Sequence, residues 1–196
     1  MRTSIRSSKQ NNLSGEIVIP GDKSISHRAI LFGLLSRGKT QILGSQNSED
    51  VLNSLKVARL LGIETKIKNS VIYLDSPGLE GLSTPEKDLY FGNSGTGMRL
   101  FAGFLSSLNF ESVLTGDASL SCRPMMRIID PLKKMGAKIS ATNKENPPLK
   151  ISPSSGLKGI NYKMPISSAQ VKSSILLAGL NANGKTQVQE KYQTRD

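Results

Sequence analysis

The sequence contains few of the residues that most often carry covalent or redox chemistry. It has one cysteine, one histidine and no tryptophan among 196 residues. A single cysteine excludes an internal disulfide bond. Cys122 would need a nearby base to act as a nucleophile, and the only histidine, His27, is far from it in the sequence. We therefore interpret Cys122 as a structural thiol.

Long apolar runs are also absent. No run approaches the roughly 20 residues of a membrane-spanning helix. The basic N-terminus, MRTSIRSSKQNN, lacks the apolar segment of a signal peptide. A hydrophobic content of 37% is typical of a globular protein with its own core. We therefore expect a cytoplasmic protein with no membrane partner.

Basic residues outnumber acidic residues: the sequence has 26 Lys and Arg but 15 Asp and Glu, which gives a formal charge of +11. Such an excess suits either nucleic acid or small anionic substrates. The basic residues are scattered, the aromatic residues amount to 5% and are not interleaved with them, and no nucleic-acid-binding motif is present. We expect small anionic substrates and no nucleic-acid partner.

Two segments match the phosphate-loop pattern GxxxxGK[ST], namely GLLSRGKT at residues 33–40 and GLNANGKT at residues 179–186. In a true phosphate loop a strand precedes the glycine turn and a helix follows it. Here apolar residues at helical spacing precede each match, and the strand-like segments TQIL and TQVQ follow. Each GKT therefore ends a helix, with a C-cap glycine, which argues against a nucleotide triphosphatase.

The two matches belong to an internal repeat with a third copy between them. Gly33, Gly103 and Gly179 lie 70 and 76 positions apart, each about two-thirds along an apolar helix that a strand follows. An amphipathic helix and two short strands around a polar turn come next in the first two copies. The predicted unit is loop, helix, strand, helix, strand, strand. The third copy stops at QTRD, where its second helix should begin, so we expect a fragment.

The first predicted helix of each copy follows a loop rich in small and anion-binding residues, GDKSISHR, GNSGTGMR or ISSAQVKS. Backbone N–H groups at a helix start favour an anion, although a serine there also serves as an ordinary N-cap. A further segment, GDASLSCRPMM, places Arg123 before a proline that suits a helix start. A guanidinium in that position suits bidentate capture of carboxylate or phosphate.

These motifs together resemble the N-terminal part of the 3-phosphoshikimate 1-carboxyvinyltransferase (5-enolpyruvylshikimate-3-phosphate synthase) family. PGDKSISHRA, LYFGNSGTGMR, TGDASLSCRPM and SSAQVKSSILLAGL carry the resemblance, from about residue 13 to residue 196. It implies an α/β (α+β) enolpyruvyl-transferase fold of pseudo-threefold βαβαββ repeats, with helices inside, sheets outside and the third repeat truncated. We expect residues 1–20, a strand segment that includes GEIVIP, to belong to a second domain and residues 21–196 to form the first. Its repeats are expected at about 21–90, 91–160 and 161–196, the last incomplete.

The resemblance implies a transferase of the shikimate pathway, which leads to chorismate and the aromatic amino acids. The enolpyruvyl group of phosphoenolpyruvate would pass to the 5-hydroxyl of shikimate 3-phosphate, with no metal and no other cofactor, in a protein that is monomeric at full length. Lys23 would contact both substrates and serve as the catalytic residue. The expected shikimate 3-phosphate ligands are Lys23, Ser24, Arg28, Ser167, Ser168 and Gln170. The expected phosphoenolpyruvate ligands are Lys23, Asn93, Gly95, Arg123 and Gln170.

The resemblance also implies that the general base, the proton donor and further arginines come from the second domain. We therefore expect the 196-residue chain to be inactive alone. Two alternatives remain open at this point. One is a non-catalytic anion-binding fragment. The other is the related enolpyruvyl transferase acting on UDP-N-acetylglucosamine, which typically carries Lys-Asn in the first loop, where this chain has Lys23 and Ser24, and a reactive cysteine on a mobile loop.

The interpretation of the GKT segments predicts that their lysines bind no nucleotide. Lys39→Ala and Lys185→Ala should leave both the melting temperature and ligand binding nearly unchanged. Adenosine triphosphate should not raise the melting temperature of the parent chain in a thermal unfolding assay. A nucleotide-dependent rise that either substitution abolishes would restore the phosphate-loop interpretation.

Overall fold

The computed structural model describes residues 4–143 and 145–192. Its α-helices are α1 (Lys23–Leu35), α2 (Glu49–Leu60), α3 (Gly95–Leu105), α4 (Met126–Lys134) and α5 (Ala169–Gly179). Its first strands are β1 (Gly38–Ile42), β2 (Glu64–Lys68), β3 (Val71–Ser76), β4 (Leu89–Tyr90), β5 (Ser112–Thr115), β6 (Lys138–Asn143) and β7 (Asn146–Ser152). The remaining strands are β8 (Leu157–Lys158), β9 (Asn161–Lys163), β10 (Ala182–Asn183) and β11 (Gln187–Gln189).

The first two units share one sheet topology. In the first sheet the strand order is β1-β3-β2, and both pairs are antiparallel. The second sheet has the order β4-β5-β7-β6, in which β5-β7-β6 repeats that arrangement and β4 adds a parallel edge strand. The predicted α/β repeat is therefore confirmed. Part of the polar turn predicted between β6 and β7, residue 144, lies outside the described residues.

The third unit contains a strand, a helix and a parallel strand in its described part. The strands β9 and β11 pair in parallel around α5, as β4 and β5 do around α3. A second short parallel pair, β8 with β10, lies beside them and was not predicted. The segment QTRD, residues 193–196, where we expect the second helix to begin, lies outside the described residues.

The core forms where the helices pack together inside the sheets. Nine residues of α3 are buried, because α1, α4 and α5 all contact this helix. Three aromatic rings lie at its centre: the Phe91 and Phe101 centroids are 5.2 Å apart, and Phe101 meets Phe104 edge to face at 6.4 Å. Among the described helices, none is both long and apolar enough to cross a lipid bilayer.

The order of helix, glycine turn and strand is confirmed at the first GKT segment, whereas at the second the short strand β10 comes between the helix and the glycine turn. The glycine is not the cap residue itself, however. Ser36 caps α1, and Gly38, with φ +101°, lies two residues further on and opens β1. Leu180 caps α5, and Gly184, with φ +87°, follows β10. In both places glycine adopts the positive φ that the turn before a strand requires.

The strand-like segment GEIVIP pairs with no strand in the described structure. Ile17, Val18 and Ile19 are 78%, 95% and 71% exposed. The apolar surface between α1 and α5 is also partly uncovered, with Phe32 and Leu180 52% and 63% exposed. Both surfaces leave large apolar side chains exposed to solvent.

The repeated glycine has a different neighbour in each unit. A Cβ on Gly103 would lie 2.1 Å from the carbonyl oxygen of Ser174, because the backbones of α3 and α5 meet there. At Gly33 the nearest atom is the Cδ1 of Leu74, at 2.3 Å, which is the end of a side chain. The first contact involves rigid backbone, whereas the second can relax by rotation of one leucine.

His27 links three helices in the interior. Its side chain is fully buried, with Nδ1 2.8 Å from the Ser54 hydroxyl of α2 and Nε2 3.0 Å from the Ser94 hydroxyl that caps α3. Burial lowers the pKa of His27 to about 4, despite the nearby Asp50 carboxylate, which raises it. The ring is therefore neutral at physiological pH, with one nitrogen donating and the other accepting.

Gly103→Ala should destabilise the fold far more than Gly33→Ala. The added methyl group at Gly103 would force two helix backbones apart, at a cost of about 2 kcal/mol. The loss at Gly33 should stay below about 1 kcal/mol, since alanine also favours the helix. Urea unfolding of both variants measures the difference, and equal losses would show that the close crossing is not rigid.

Stability should decrease as the pH falls from 6.5 toward 4. Unfolded His27 binds a proton near its ordinary pKa of 6.5, whereas the folded side chain does so only near pH 4, so protons favour the unfolded chain within this window. The full effect is on the order of 3 kcal/mol.

Because His27 is the only histidine, urea unfolding at pH 7, 6 and 5 reports mainly on this side chain. His27→Gln should be less stable at pH 7 but should show a flatter pH dependence between 6.5 and 5. An unchanged slope in the variant would contradict the assignment.

Candidate active site

The N-terminal ends of α1, α3 and α5 carry most of the residues that the sequence singled out. Asp22, Ser94 and Ser168 are their N-caps, each accepting a hydrogen bond from a backbone N–H three residues on, at 2.8, 3.0 and 3.4 Å. The helix starts are therefore formed by local capping. Because Asp22 caps α1, the hydroxyl of Ser24 is not needed for that role.

The first group of candidate residues lies on α1. The ammonium of Lys23 is 2.8 Å from the Asp50 carboxylate of α2. Arg28 donates to the backbone carbonyl of Ser24 at 3.2 Å and to the hydroxyl of Ser173 on α5 at 2.8 Å. These residues form what we call the α1 cluster: Lys23, Ser24 and Arg28 with their partners Asp50 and Ser173.

Arg123 and Asn93 are in direct contact. Arg123 has an extended backbone and donates to the Asn93 side-chain oxygen and, at 3.4 Å, to the Ser119 hydroxyl. The amide nitrogen of Asn93 donates in turn to Asp117 at 2.8 Å. Hydrogen bonds from the Leu120 backbone and from Asn93 lower the pKa of Asp117 below its usual value. Asp117 thereby orients Asn93 with its oxygen toward the guanidinium.

Pro124 lies before the helix rather than in its first turn, because α4 begins at Met126 after the cap residue Met125. The proline that we expected at the helix start therefore lies two residues before the first helical residue. Arg123 still precedes the helix in extended conformation, as the Arg-Pro sequence predicts.

Gln170 binds two groups on α3. Its side-chain oxygen accepts from Arg99 at 2.8 Å, and its nitrogen donates to the Thr96 hydroxyl at 3.0 Å. Arg99 also donates to the carbonyl of Pro124 at 3.2 Å and, at the limit of hydrogen bonding, to that of Gly95 at 3.5 Å. These five residues and the Arg123–Asn93 pair form what we call the α3 cluster.

The α3 cluster concentrates positive charge around one glycine. A Cβ on Gly95 would lie 2.8 Å from a guanidinium nitrogen of Arg99 and 3.1 Å from one of Arg123. Burial lowers the pKa of Arg99 from its usual value, and the charges of Arg123 and Arg127 lower it further. Arginine stays protonated in proteins, so this cluster favours an anion as its ligand.

The two candidate serines of the third loop differ in the hydrogen bonds that their hydroxyls make. The hydroxyl of Ser167 donates to the Tyr192 carbonyl at 3.2 Å and accepts from the Tyr192 backbone N–H at 3.3 Å. Ser168 accepts only as a helix cap among the described hydrogen bonds, and a hydroxyl keeps its own proton to donate. Ser168 is therefore better placed to bind a ligand than Ser167.

The structure does not place Lys23 in contact with the α3 cluster within the described residues, since its ammonium binds Asp50. The His27–Ser94 hydrogen bond connects the helix of the first cluster to that of the second, because it joins α1 to the cap of α3. The site therefore consists of two neighbouring cationic groups rather than a single one.

Sequence reasoning missed Asp50, Asp117 and the role of Arg99. Asp50 lies in the first turn of α2, where acidic residues are ordinary, and its partner is 27 positions away. Arg99 and Gln170 are 71 positions apart. No local pattern marks such contacts, although the matching positions of the three repeats would have placed the helix starts side by side.

Cys122 is exposed, so it does not pack in the core. It lies in a short 3-10 helix, Leu120–Cys122, beside Arg123. Both ring nitrogens of His27 are hydrogen-bonded to serine hydroxyls and not to Cys122. Within the described structure, His27 therefore does not serve as a base for Cys122.

The two clusters lie at open helix ends rather than in an enclosed cavity. A surface depression of about 550 Å³ occurs elsewhere, on the first sheet, where Lys39, Lys66 and Tyr73 belong to its lining. Its lining combines strand residues of both charges and includes none of the candidate site residues. The helix ends are therefore the candidate site, because charge and hydrogen-bond donors converge there.

Comparison with known proteins agrees with this architecture. The model of the family "EPSP synthase (3-phosphoshikimate 1-carboxyvinyltransferase)" matches residues 7–195. Proteins named 3-phosphoshikimate 1-carboxyvinyltransferase from Hydrogenovibrio crunogenus and Nitrosococcus oceani are each 50% identical over 185 residues. These matches cover 94% of this chain and 42% of each relative.

A solved structure of EPSP synthase from Acinetobacter baumannii has a TM-score of 0.89 at 50% identity. It covers 93% of this chain, which covers 42% of that protein. The chain thus spans about two-fifths of the length of the relatives that it matches. With a family model that covers nearly the whole chain and relatives at half identity, the chain belongs to the EPSP synthase family.

Proposed function

We propose that this chain supplies one of the two substrate-binding faces of a 3-phosphoshikimate 1-carboxyvinyltransferase. The whole protein would transfer the enolpyruvyl group of phosphoenolpyruvate to the 5-hydroxyl of shikimate 3-phosphate in the cytoplasm. The observation that carries the proposal is the presence of two adjacent cationic clusters at the ends of three helices. Two anionic substrates held side by side require such an arrangement, because fixed cations offset their repulsion.

The α1 cluster is the proposed site for shikimate 3-phosphate. Lys23, Ser24 and Arg28 offer an ammonium, a hydroxyl and a guanidinium at the start of a helix, where backbone N–H groups also favour phosphate. Ser168 extends this surface on α5. The link from Arg28 to Ser173 supports the proposal, because it holds the guanidinium between α1 and α5.

The α3 cluster is the proposed site for phosphoenolpyruvate. Arg123 and Asn93 lie together, Gly95 keeps the approach open, and Gln170 bridges α3 and α5. The side-chain oxygen of Asn93 accepts a hydrogen bond from Arg123, so one N–H group of that guanidinium is already paired. A carboxylate or phosphate would bind the remaining N–H groups of Arg123.

In the reaction, the 5-hydroxyl oxygen forms a bond to the enol carbon of phosphoenolpyruvate, and the bond from that carbon to the phosphate oxygen breaks. The hydroxyl proton leaves with the phosphate in the overall balance. Lys23 would place positive charge between the two substrates. The general base and the proton donor would come from a second domain, to which we also assign residues 1–20.

Ligand titration during thermal unfolding tests the assignment of the two clusters. Shikimate 3-phosphate should raise the melting temperature of the chain by mass action. Arg28→Ala should remove most of this shift. Gly95→Ala should preserve it but weaken phosphoenolpyruvate binding about tenfold or more, because the new methyl group would displace the Arg99 and Arg123 guanidiniums.

Lys39→Ala is the matched control, since it removes a positive charge from the first sheet, away from both clusters, and should change neither titration. If Gly95→Ala weakened both ligands equally, the assignment of the α3 cluster to phosphoenolpyruvate would be wrong. If the parent chain bound neither ligand, the proposed function would be wrong as a whole.

A further inference from the structure

Arg99 is the side chain that joins the three segments of the α3 cluster. Its guanidinium donates to Gly95 on α3, to Gln170 on α5 and to Pro124 in the segment before α4. Each of these segments carries a residue that the proposed function assigns to phosphoenolpyruvate, with Arg123 next to Pro124. Lysine, with a single nitrogen at its end, cannot reproduce this fork of donors.

Arg99 also determines which end of the Gln170 amide faces a ligand. Arginine can only donate hydrogen bonds, so the side-chain oxygen of Gln170 must face it. The amide nitrogen then donates one hydrogen to Thr96. Among the described contacts, its second hydrogen stays available. Gln170 therefore offers a ligand a donor, which suits an anion, rather than an oxygen, which would repel one.

Helix packing sets the distance between these two residues. The backbones of α3 and α5 meet at Gly103 and Ser174. One turn earlier on each helix lie Arg99 and Gln170, on the same faces. Because glycine allows the close crossing, the short bond between them follows from the packing of rigid elements.

We propose that Arg99 is a positioning residue that orients the Gln170 amide and fixes the Arg123 segment, so that the α3 cluster binds an anion through N–H donors alone. The identity of this anion as phosphoenolpyruvate rests on the proposed function. Arg99 acts through its neighbours, and its own charge is shared with carbonyl and amide oxygens.

The experiment compares Arg99→Lys, Gln170→Ala and their combination with the parent chain. Each protein is saturated with shikimate 3-phosphate and titrated with phosphoenolpyruvate to millimolar concentration, while ¹H–¹⁵N spectra report binding. Arg99→Lys and Gln170→Ala should each weaken phosphoenolpyruvate about tenfold, and the double variant should be no weaker than either. In Arg99→Lys, shikimate 3-phosphate affinity should stay within about twofold of the parent.

Arg127→Lys is the control, because Arg127 contributes a like charge near Arg99 but donates no described hydrogen bond to Gln170. It should bind both substrates as the parent does. Thr96→Val gives an independent test if Arg99→Lys does not fold, since it removes the other anchor of the amide and should also weaken phosphoenolpyruvate selectively.

Normal phosphoenolpyruvate binding by Arg99→Lys or by Thr96→Val would overturn the inference. So would losses that multiply in the double variant, or a parent chain that binds shikimate 3-phosphate but not phosphoenolpyruvate. A parent chain that bound neither substrate would instead contradict the proposed function, on which the identity of the ligand rests.

Discussion

The close approach of two helix backbones is the constraint on which the site depends. Where α3 meets α5, a Cβ on Gly103 would lie 2.1 Å from a backbone carbonyl oxygen, so only glycine allows this separation. The crossing lies one turn below the bond between Arg99 and Gln170. Interior packing therefore sets the positions of polar groups at the helix ends, and the site inherits its geometry from the core.

A second constraint is the buried imidazole that joins α1, α2 and the cap of α3. A neutral ring with both nitrogens bonded to serine hydroxyls meets the requirement that buried polar groups be paired. It also keeps positive charge out of the interior, while Lys23 and Arg28 keep theirs at the surface side of the same helix. The α1 and α3 clusters are thus tied together without a buried charge between them.

The helices and main strands followed from local pattern, because apolar spacing and small-residue helix starts are properties of short segments. The repeat gave the common order of elements along the chain in the first two units, whereas the order of their strands in the sheet is known from the structure. The contacts of Asp50, Asp117 and Arg99 were beyond local pattern, since each joins residues from distant segments. The short pair of β8 and β10 was missed for the same reason. Conversely, the strand-like residues 15–20 pair with no strand in the described structure, because a strand forms only against a partner.

The N-termini of α1, α3 and α5 and the basic side chains beside them also affect the approach of ligands from solution. Their partial and full positive charges add, and the resulting field extends over about one Debye length, roughly 8 Å at physiological ionic strength. Small phosphorylated anions are drawn toward this face before any specific bond forms. The rate of association, more than the lifetime of the complex, is then the property that added salt reduces.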